Sequence, residues 1–119
     1  MPATIHFEPD NICRMEIRGT LRKTDLERCQ EALADEMRRR GPMRLLCVLD
    51  GFEGWERQDV WNDLSFFIEH GSTIERIAIV GDERWKGETL MFAGADLRRA
   101  PVEFFATEAV ADARTWLSA

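Results

Sequence analysis

The alternation of hydrophobic and polar side chains divides the chain into short strands and helices. Near its start, two segments place apolar residues at every second position, which is typical of half-buried strands, and Asp10-Asn11 between them predicts a hairpin turn. Two later segments are nearly continuous apolar runs, which indicates strands buried on both faces, and a fifth strand follows Pro101. The five predicted strands cover residues 4–9, 12–18, 44–50, 75–81 and 102–105.

Apolar residues at helical spacing predict four helices between and after these strands. Thr24 and Glu27 have the spacing of a capping box, so we expect Thr24 to be the N-cap of the first helix. From the third helix, we expect Leu90 and Met91 to face the core. The four helices are predicted over about residues 24–40, 59–70, 84–95 and the segment that begins at Thr107.

The element order is ββαβαβαβα, which predicts an α/β fold. Strands that alternate with helices pair in parallel, so we expect a mixed five-stranded sheet that is mostly parallel and is flanked by four helices. The first strand enters through a hairpin and is therefore antiparallel, and we place it at an edge of the sheet. With 119 residues, the chain is expected to form a single domain.

Composition narrows the class of partner. The formal net charge of −6 argues against nucleic acid, which requires clustered Lys and Arg. Three cysteines without CxxC spacing are expected to be reduced core thiols. The sequence shows no signal peptide and no apolar run long enough to span a membrane, so we expect a cytoplasmic protein. No pattern predicts a cofactor, and the acids near Asp50 match no metal-binding loop.

Order and spacing of several segments resemble the SpoIIAA-like family of the STAS superfamily, which includes bacterial anti-sigma factor antagonists. The resemblance covers almost the whole chain and implies a β-α superhelix like that of the lipid-binding CRAL-TRIO domains. By that analogy it also implies binding of a small apolar molecule. The segments that carry it are Leu45-Leu46-Cys47-Val48-Leu49-Asp50 with Gly54-Trp55, Trp61 and His70, Ile77-Ala78-Ile79-Val80-Gly81-Asp82 with Trp85, Val102-Glu103-Phe104-Phe105, and Ala113-Arg114-Thr115-Trp116-Leu117.

One position departs from the antagonists, which carry a phosphorylatable Ser just after the Asp that ends the third strand. Here Gly51 and Phe52 follow Asp50, and no Ser or Thr lies between Asp50 and Asp63. Phosphorylation requires a hydroxyl to which charge and acceptor oxygens are added. We therefore expect a phosphorylation switch to be absent at this position, although a binding surface would not need it.

Candidate site residues follow the carboxyl ends of the third and fourth strands, where ligand sites of parallel sheets gather. Four of them are aromatic and predict an apolar crevice at one rim of the sheet; two polar residues would orient a ligand there. The aromatic set also fits a plug that closes the end of the sheet, with each indole N–H donating to a backbone carbonyl. Asp50 equally fits a turn or helix cap. The predicted ligand-binding residues are Phe52, Trp55, Trp61, Trp85, Asp50 and His70.

Three classes of function remain open at this point. The sequence favours a non-enzymatic binding module for a small apolar or lipid-like ligand. The STAS resemblance also implies a protein-interaction module, whose surface would be residues 51–57 and 59–70 and whose partner would be a regulatory protein or a second copy of the chain. An enzyme is the least favoured class, because no nucleophile, base and orienting acid occur in a recognisable pattern.

Overall fold

The computed structural model describes residues 3–59, 61, 66, 70–95, 97 and 100–119. Five strands and three helices lie within these residues, and the helices are numbered here in chain order. Short 3₁₀ turns precede β4, α2 and α3. The elements are β1 Ala3–Phe7, β2 Ile12–Leu21, α1 Lys23–Arg40, β3 Met43–Trp55, β4 Ile74–Gly81, α2 Lys86–Phe92, β5 Val102–Ala106 and α3 Val110–Ser118.

The strands form one sheet in the order β1-β2-β3-β4-β5. β1 pairs antiparallel with β2, and the other neighbours pair in parallel. The predicted mixed sheet and the placement of the hairpin strand at its edge are confirmed. Asn11 has a φ of 59°, which Asn tolerates better than most residues, and it closes the hairpin turn.

Both faces of the sheet are covered, as the continuous apolar runs predict. One face carries alternate residues such as Met15 and Ile77 and packs against α1 and the segment that contains α2. The opposite face carries Leu46 and Ala78, both fully buried, and packs against Leu117 of α3. Successive side chains of a strand point to opposite faces, so a central strand between two helical layers must be apolar at every position.

β3 is longer than predicted, because residues 51–55 continue the strand instead of forming a loop. Its register against β2 shifts twice in this region: Ile17 pairs with Leu49, Gly19 with Phe52 and Thr20 with Gly54. At each shift β3 contains one more residue than β2. Gly51 and Gly54 lie in these shifts with φ of 62° and 102°, backbone that favours glycine.

The prediction for the start of the first helix is wrong. α1 begins at Lys23, and its N-cap Arg22 makes no side-chain capping hydrogen bond. Instead, the carboxylate of Asp59 accepts a 2.8 Å hydrogen bond from the Lys23 backbone N–H, across 36 residues of chain. A carboxylate supplied by a distant segment thus fills the place that the capping-box pattern assigned to Thr24.

The two middle helices differ from their predictions in separate ways. Most of the helix predicted over 59–70, including Phe67, lies outside the described residues. The helix predicted over 84–95 is a 3₁₀ turn at Glu83–Trp85 followed by α2. Met91 on α2 is 77% exposed, so the expectation that it faces the core is wrong.

Candidate functional site

A cavity of about 450 Å³ lies between α1, one face of the sheet and the segment that contains α2. Its floor is apolar and consists of side chains from the central strands, among them Leu45, Ile77 and Ile79. Leu26 and Leu33 of α1 form a second wall. The volume is within the range of small-ligand pockets, which are mostly apolar with a few polar groups.

Three aromatic rings cluster at the carboxyl end of β3, and two of them form a wall of the cavity. The rings of Phe52 and Trp55 lie 5.1 Å apart between centroids and edge to face. Trp85 lies 4.9 Å from Phe52 and 6.1 Å from Trp55, also edge to face. Such geometry stabilises aromatic pairs beyond the area that they bury. Phe52 and Trp55 line the cavity, whereas Trp85 supports them from behind and is not part of its lining.

The two glycine bulges explain how residues three apart in a strand reach the same cavity. In a regular strand, Leu49 and Phe52 would point to opposite faces, as would Phe52 and Trp55. An extra residue at Gly51 reverses the alternation once, and an extra residue at Gly54 reverses it again. Leu49, Phe52 and Trp55 therefore all line the cavity.

A second group of aromatic side chains lies at the rim of the cavity. Phe92 at the end of α2 lies 5.2 Å from Trp55 and 5.7 Å from Trp61, and all three rings line the cavity. Phe66 lines it as well. Phe92 thus links the wall of the cavity to the segment that contains Trp61.

The indole N–H groups of the two lining tryptophans differ. Trp61 donates a 2.9 Å hydrogen bond to the backbone carbonyl of Glu56, as the plug interpretation expects of an indole. The N–H of Trp55 is buried and has no hydrogen-bond partner within the described part of the chain. The Trp55 ring itself packs against the rings of Phe52, Trp85 and Phe92, and aromatic faces are only weak acceptors.

The predicted polar residues lie away from the cavity. Asp50 is exposed, pairs with Arg18 at 3.2 Å and does not line the cavity; among the described residues it accepts no helix-capping hydrogen bond. His70 is half-buried, with its ring 5.0 Å from that of Phe66, and is also not part of the lining. Of the six predicted site residues, Phe52, Trp55 and Trp61 are the three that line the cavity.

Polar side chains that do line the cavity come mainly from α1: Lys23, Glu27 and Gln30. Thr89 of α2 also lines it, but its hydroxyl donates to the carbonyl of Trp85 at 2.7 Å. The lining includes one thiol, Cys47, and burial raises its pKa to about 12. Within the described residues, no group of three or more His, Cys, Asp or Glu is arranged to hold a metal ion.

Comparison with known proteins assigns the family. A sequence profile described as SpoIIAA-like matches residues 12–118. The chain belongs to the SpoIIAA-like family. Its fold is also that of a crystal structure from Shewanella loihica PV-4, described as an uncharacterised protein of the DUF3478 family with a SpoIIAA-like fold. The two chains are 22% identical, with a TM-score of 0.73 over 97% of this chain and 91% of the other. No curated protein matches the sequence significantly.

The family resemblance draws attention to the position after Asp50, where this SpoIIAA-like protein has Gly51. Gly51 is exposed, and a β-carbon there would meet no atom within 4 Å. Its φ of 62° is required by the first bulge of β3. The residue at this position therefore shapes the cavity wall and carries no hydroxyl.

Sequence reasoning missed the residues at the mouth of the cavity. Phe92 lies on the predicted third helix, but the helical pattern assigned no role to it. Met91 and Leu97, which are 77% and 76% exposed, also line the mouth. The sequence does contain a signal for these residues: Leu90, Met91 and Phe92 are three consecutive apolar residues. Consecutive residues of a helix point in different directions, so all three cannot lie on one buried face. The helices have a separate property, which concerns membranes. In the part of the chain that is described, no helix is long and apolar enough to cross a membrane.

Proposed function

We propose that this SpoIIAA-like protein is a non-enzymatic binding module that holds a small apolar or lipid-like ligand in the cavity between α1, the sheet and α2. The single observation that carries the proposal is the cavity itself: about 450 Å³ of space whose floor and walls are aliphatic and aromatic. That space would hold about fifteen water molecules at roughly 30 Å³ each. Replacing water at such walls by hydrocarbon is favourable.

The lining supports binding in preference to chemistry. Cys47 is the one thiol among the described lining residues, and with its pKa raised to about 12 by burial it is a poor nucleophile at neutral pH. The hydroxyl of Thr89 is held by the backbone of its own helix. Phe52, Trp55 and Trp61 would contact the ligand, with Trp85 fixing the first two in place.

A chain-length series tests the proposal. The delipidated protein is titrated with octanol, decanol and dodecanol, and tryptophan fluorescence reports binding because Trp55 and Trp61 line the cavity. Each buried methylene contributes about 0.8 kcal/mol, so the affinity should rise about fourfold per methylene until the cavity is full. Unchanged emission with all three alcohols would contradict the proposal.

A pair of variants on α1 provides the control. Leu26→Trp adds an indole to a residue that lines the cavity and should abolish alcohol binding. Glu31→Trp adds the same ring at an exposed position of α1 outside the lining and should leave binding unchanged. Leu45→Phe fills the cavity from the sheet and replaces the first variant if Leu26→Trp does not fold.

A protein-interaction module without a phosphorylation switch is the second candidate, and one observation favours it. Met91 and Leu97 are large apolar residues six positions apart in the chain, and both are mostly exposed at the same mouth of the cavity. The surface expected at 51–57 is less suitable, because Phe52 is 5% exposed and Trp55 is half-buried. If this candidate is right, light scattering during size exclusion should detect an oligomer that Leu97→Ser converts to monomer. A monomeric wild type would count against self-association.

A further inference from the structure

Three polar side chains of α1 line the cavity and have no partner among the residues that the structure describes. Lys23, Glu27 and Gln30 occupy positions i, i+4 and i+7, which places them on one face of the helix. Their side chains make no ion pair or hydrogen bond with any residue that the structure describes. Most other charged side chains of α1 are paired, with Glu31 the exception among the described contacts: Asp25 with Arg28, Asp35 with Arg38, and Glu36 with Arg39 and Arg40.

The two charged residues among these three, Lys23 and Glu27, differ in how far they are buried. Lys23 is the one cationic residue and Glu27 the one anionic residue among the described lining residues. Lys23 and Gln30 are half-buried, whereas Glu27 is exposed. Water and salt screen an exposed charge more strongly than a half-buried one. The carboxylate of Asp59 accepts the backbone N–H of Lys23 at 2.8 Å and forms no ion pair with its ammonium. The least-screened charge of the lining is therefore the ammonium of Lys23.

We propose that the ligand is a single-chain amphiphile whose anionic oxygen head group, a carboxylate or a phosphate, is bound by the ammonium of Lys23, with the Gln30 amide as a second donor. The hydrocarbon tail lies against the apolar floor at Leu45 and Ile77. This inference rests on the proposed function and specifies the chemistry of its ligand. A charged head group would make hydrogen bonds with donors that have no acceptor among the described residues, and such charge-assisted bonds are the stronger kind.

Four ligands with twelve-carbon chains and different head groups test the inference. Dodecanoate, dodecyl phosphate, dodecanol and dodecyltrimethylammonium are titrated into the delipidated protein below their micelle concentrations. A hydrogen bond to a charged group corresponds to about a tenfold or greater gain in affinity. We expect dodecanoate or dodecyl phosphate to bind at least tenfold tighter than dodecanol, and the stronger of the two identifies the head group.

Matched substitutions separate the charge of Lys23 from its packing. Lys23→Met keeps an unbranched stem and a good helix former, and leaves the backbone N–H that binds Asp59. It should weaken binding of the anionic ligand about tenfold and leave dodecanol unchanged. Lys86→Met removes an exposed cation outside the lining and should change neither. Glu27→Gln should strengthen binding of the anion.

The outcomes distinguish this inference from the proposed function. If all four ligands bind equally, or the trimethylammonium compound binds most tightly, the head-group assignment is overturned while the cavity remains a binding site. An equal loss for all ligands in Lys23→Met would also overturn it, because Lys23 would then act only through packing. If no ligand binds, the proposed function itself fails.

Discussion

The substitution Gly54→Ala tests how the aromatic wall of the cavity is built. Gly54 occupies the second bulge of β3 with a φ of 102°, and a β-carbon there would lie 3.3 Å from Cη2 of Trp85. Forcing an L-residue into sparsely populated backbone costs about 1–3 kcal/mol. Overpacking against a ring that must move adds about 1–3 kcal/mol. The free energy of unfolding should therefore fall by about 2–6 kcal/mol.

Two other glycines separate these two costs. Gly51 has a φ of 62°, but a β-carbon there meets nothing within 4 Å, so Gly51→Ala should cost only about 1–2 kcal/mol. Gly87 lies in α2 with open space around it and no positive φ. Gly87→Ala should stabilise the protein by about 0.5–1 kcal/mol, since alanine favours helix.

Urea unfolding followed by far-ultraviolet circular dichroism measures all three variants at an unchanged m-value. The expected order of stability is Gly87→Ala above wild type, then Gly51→Ala, then Gly54→Ala. A Gly54→Ala protein as stable as Gly51→Ala would refute the close packing of Trp85 on β3. A Gly54→Ala protein as stable as wild type would refute the bulge as well.

Three further predictions concern the cap of α1, an ion pair and a thiol. Asp59→Ala should lower the free energy of unfolding by about 1 kcal/mol, because it removes the acceptor of the Lys23 backbone N–H. Asp59→Asn keeps an acceptor and should retain most of the wild-type stability. Urea unfolding measures both variants, and no loss in Asp59→Ala would show that the cap is unimportant. Two hydrogen bonds from Arg114 lower the pKa of Glu8 below its usual value of 4.5. The stability that this ion pair gives the folded protein is therefore complete above pH 4.5 and is lost as the pH falls through the lowered pKa of the folded state. Glu8→Gln should flatten the fall of stability on acidification, and an unchanged acid profile would contradict this. Burial raises the pKa of Cys47 to about 12, so the native protein should react with a disulfide reagent at Cys47 far more slowly than the urea-unfolded chain does. Equal rates would contradict the raised pKa.

Local sequence pattern was sufficient for the sheet and insufficient for the end of β3. Period-two alternation and doubly apolar runs are imposed by burial on one or two faces, so they predict strand identity and order. The extension through Phe52 and Trp55 depends on two glycine bulges, which appear in the sequence only as turn-like residues. Both glycines belong to a strand because residues 51–55 pair with β2.

Contacts between distant segments account for the other differences. The carboxylate that accepts from the first turn of α1 comes from Asp59, and no pattern around Thr24 contains that information. Asp50 was placed in the site because it follows a buried strand, but it comes directly after Leu49, which lines the cavity, so strand alternation points it to the opposite face, where it pairs with Arg18. Phe92 joins the aromatic wall only because α2 ends beside Trp55. Proximity of the strand ends was predictable; the orientation of individual side chains was not.

The most direct test of an apolar ligand site is to locate a heavy atom on a hydrocarbon chain. Crystals of the protein grown with 12-bromododecanoate would show the bromine by its anomalous scattering. We predict a single strong peak inside the cavity, beside Leu45 and Ile77 and remote from Lys23. Bromine found only on the outer surface, or no peak at saturating ligand, would contradict the account.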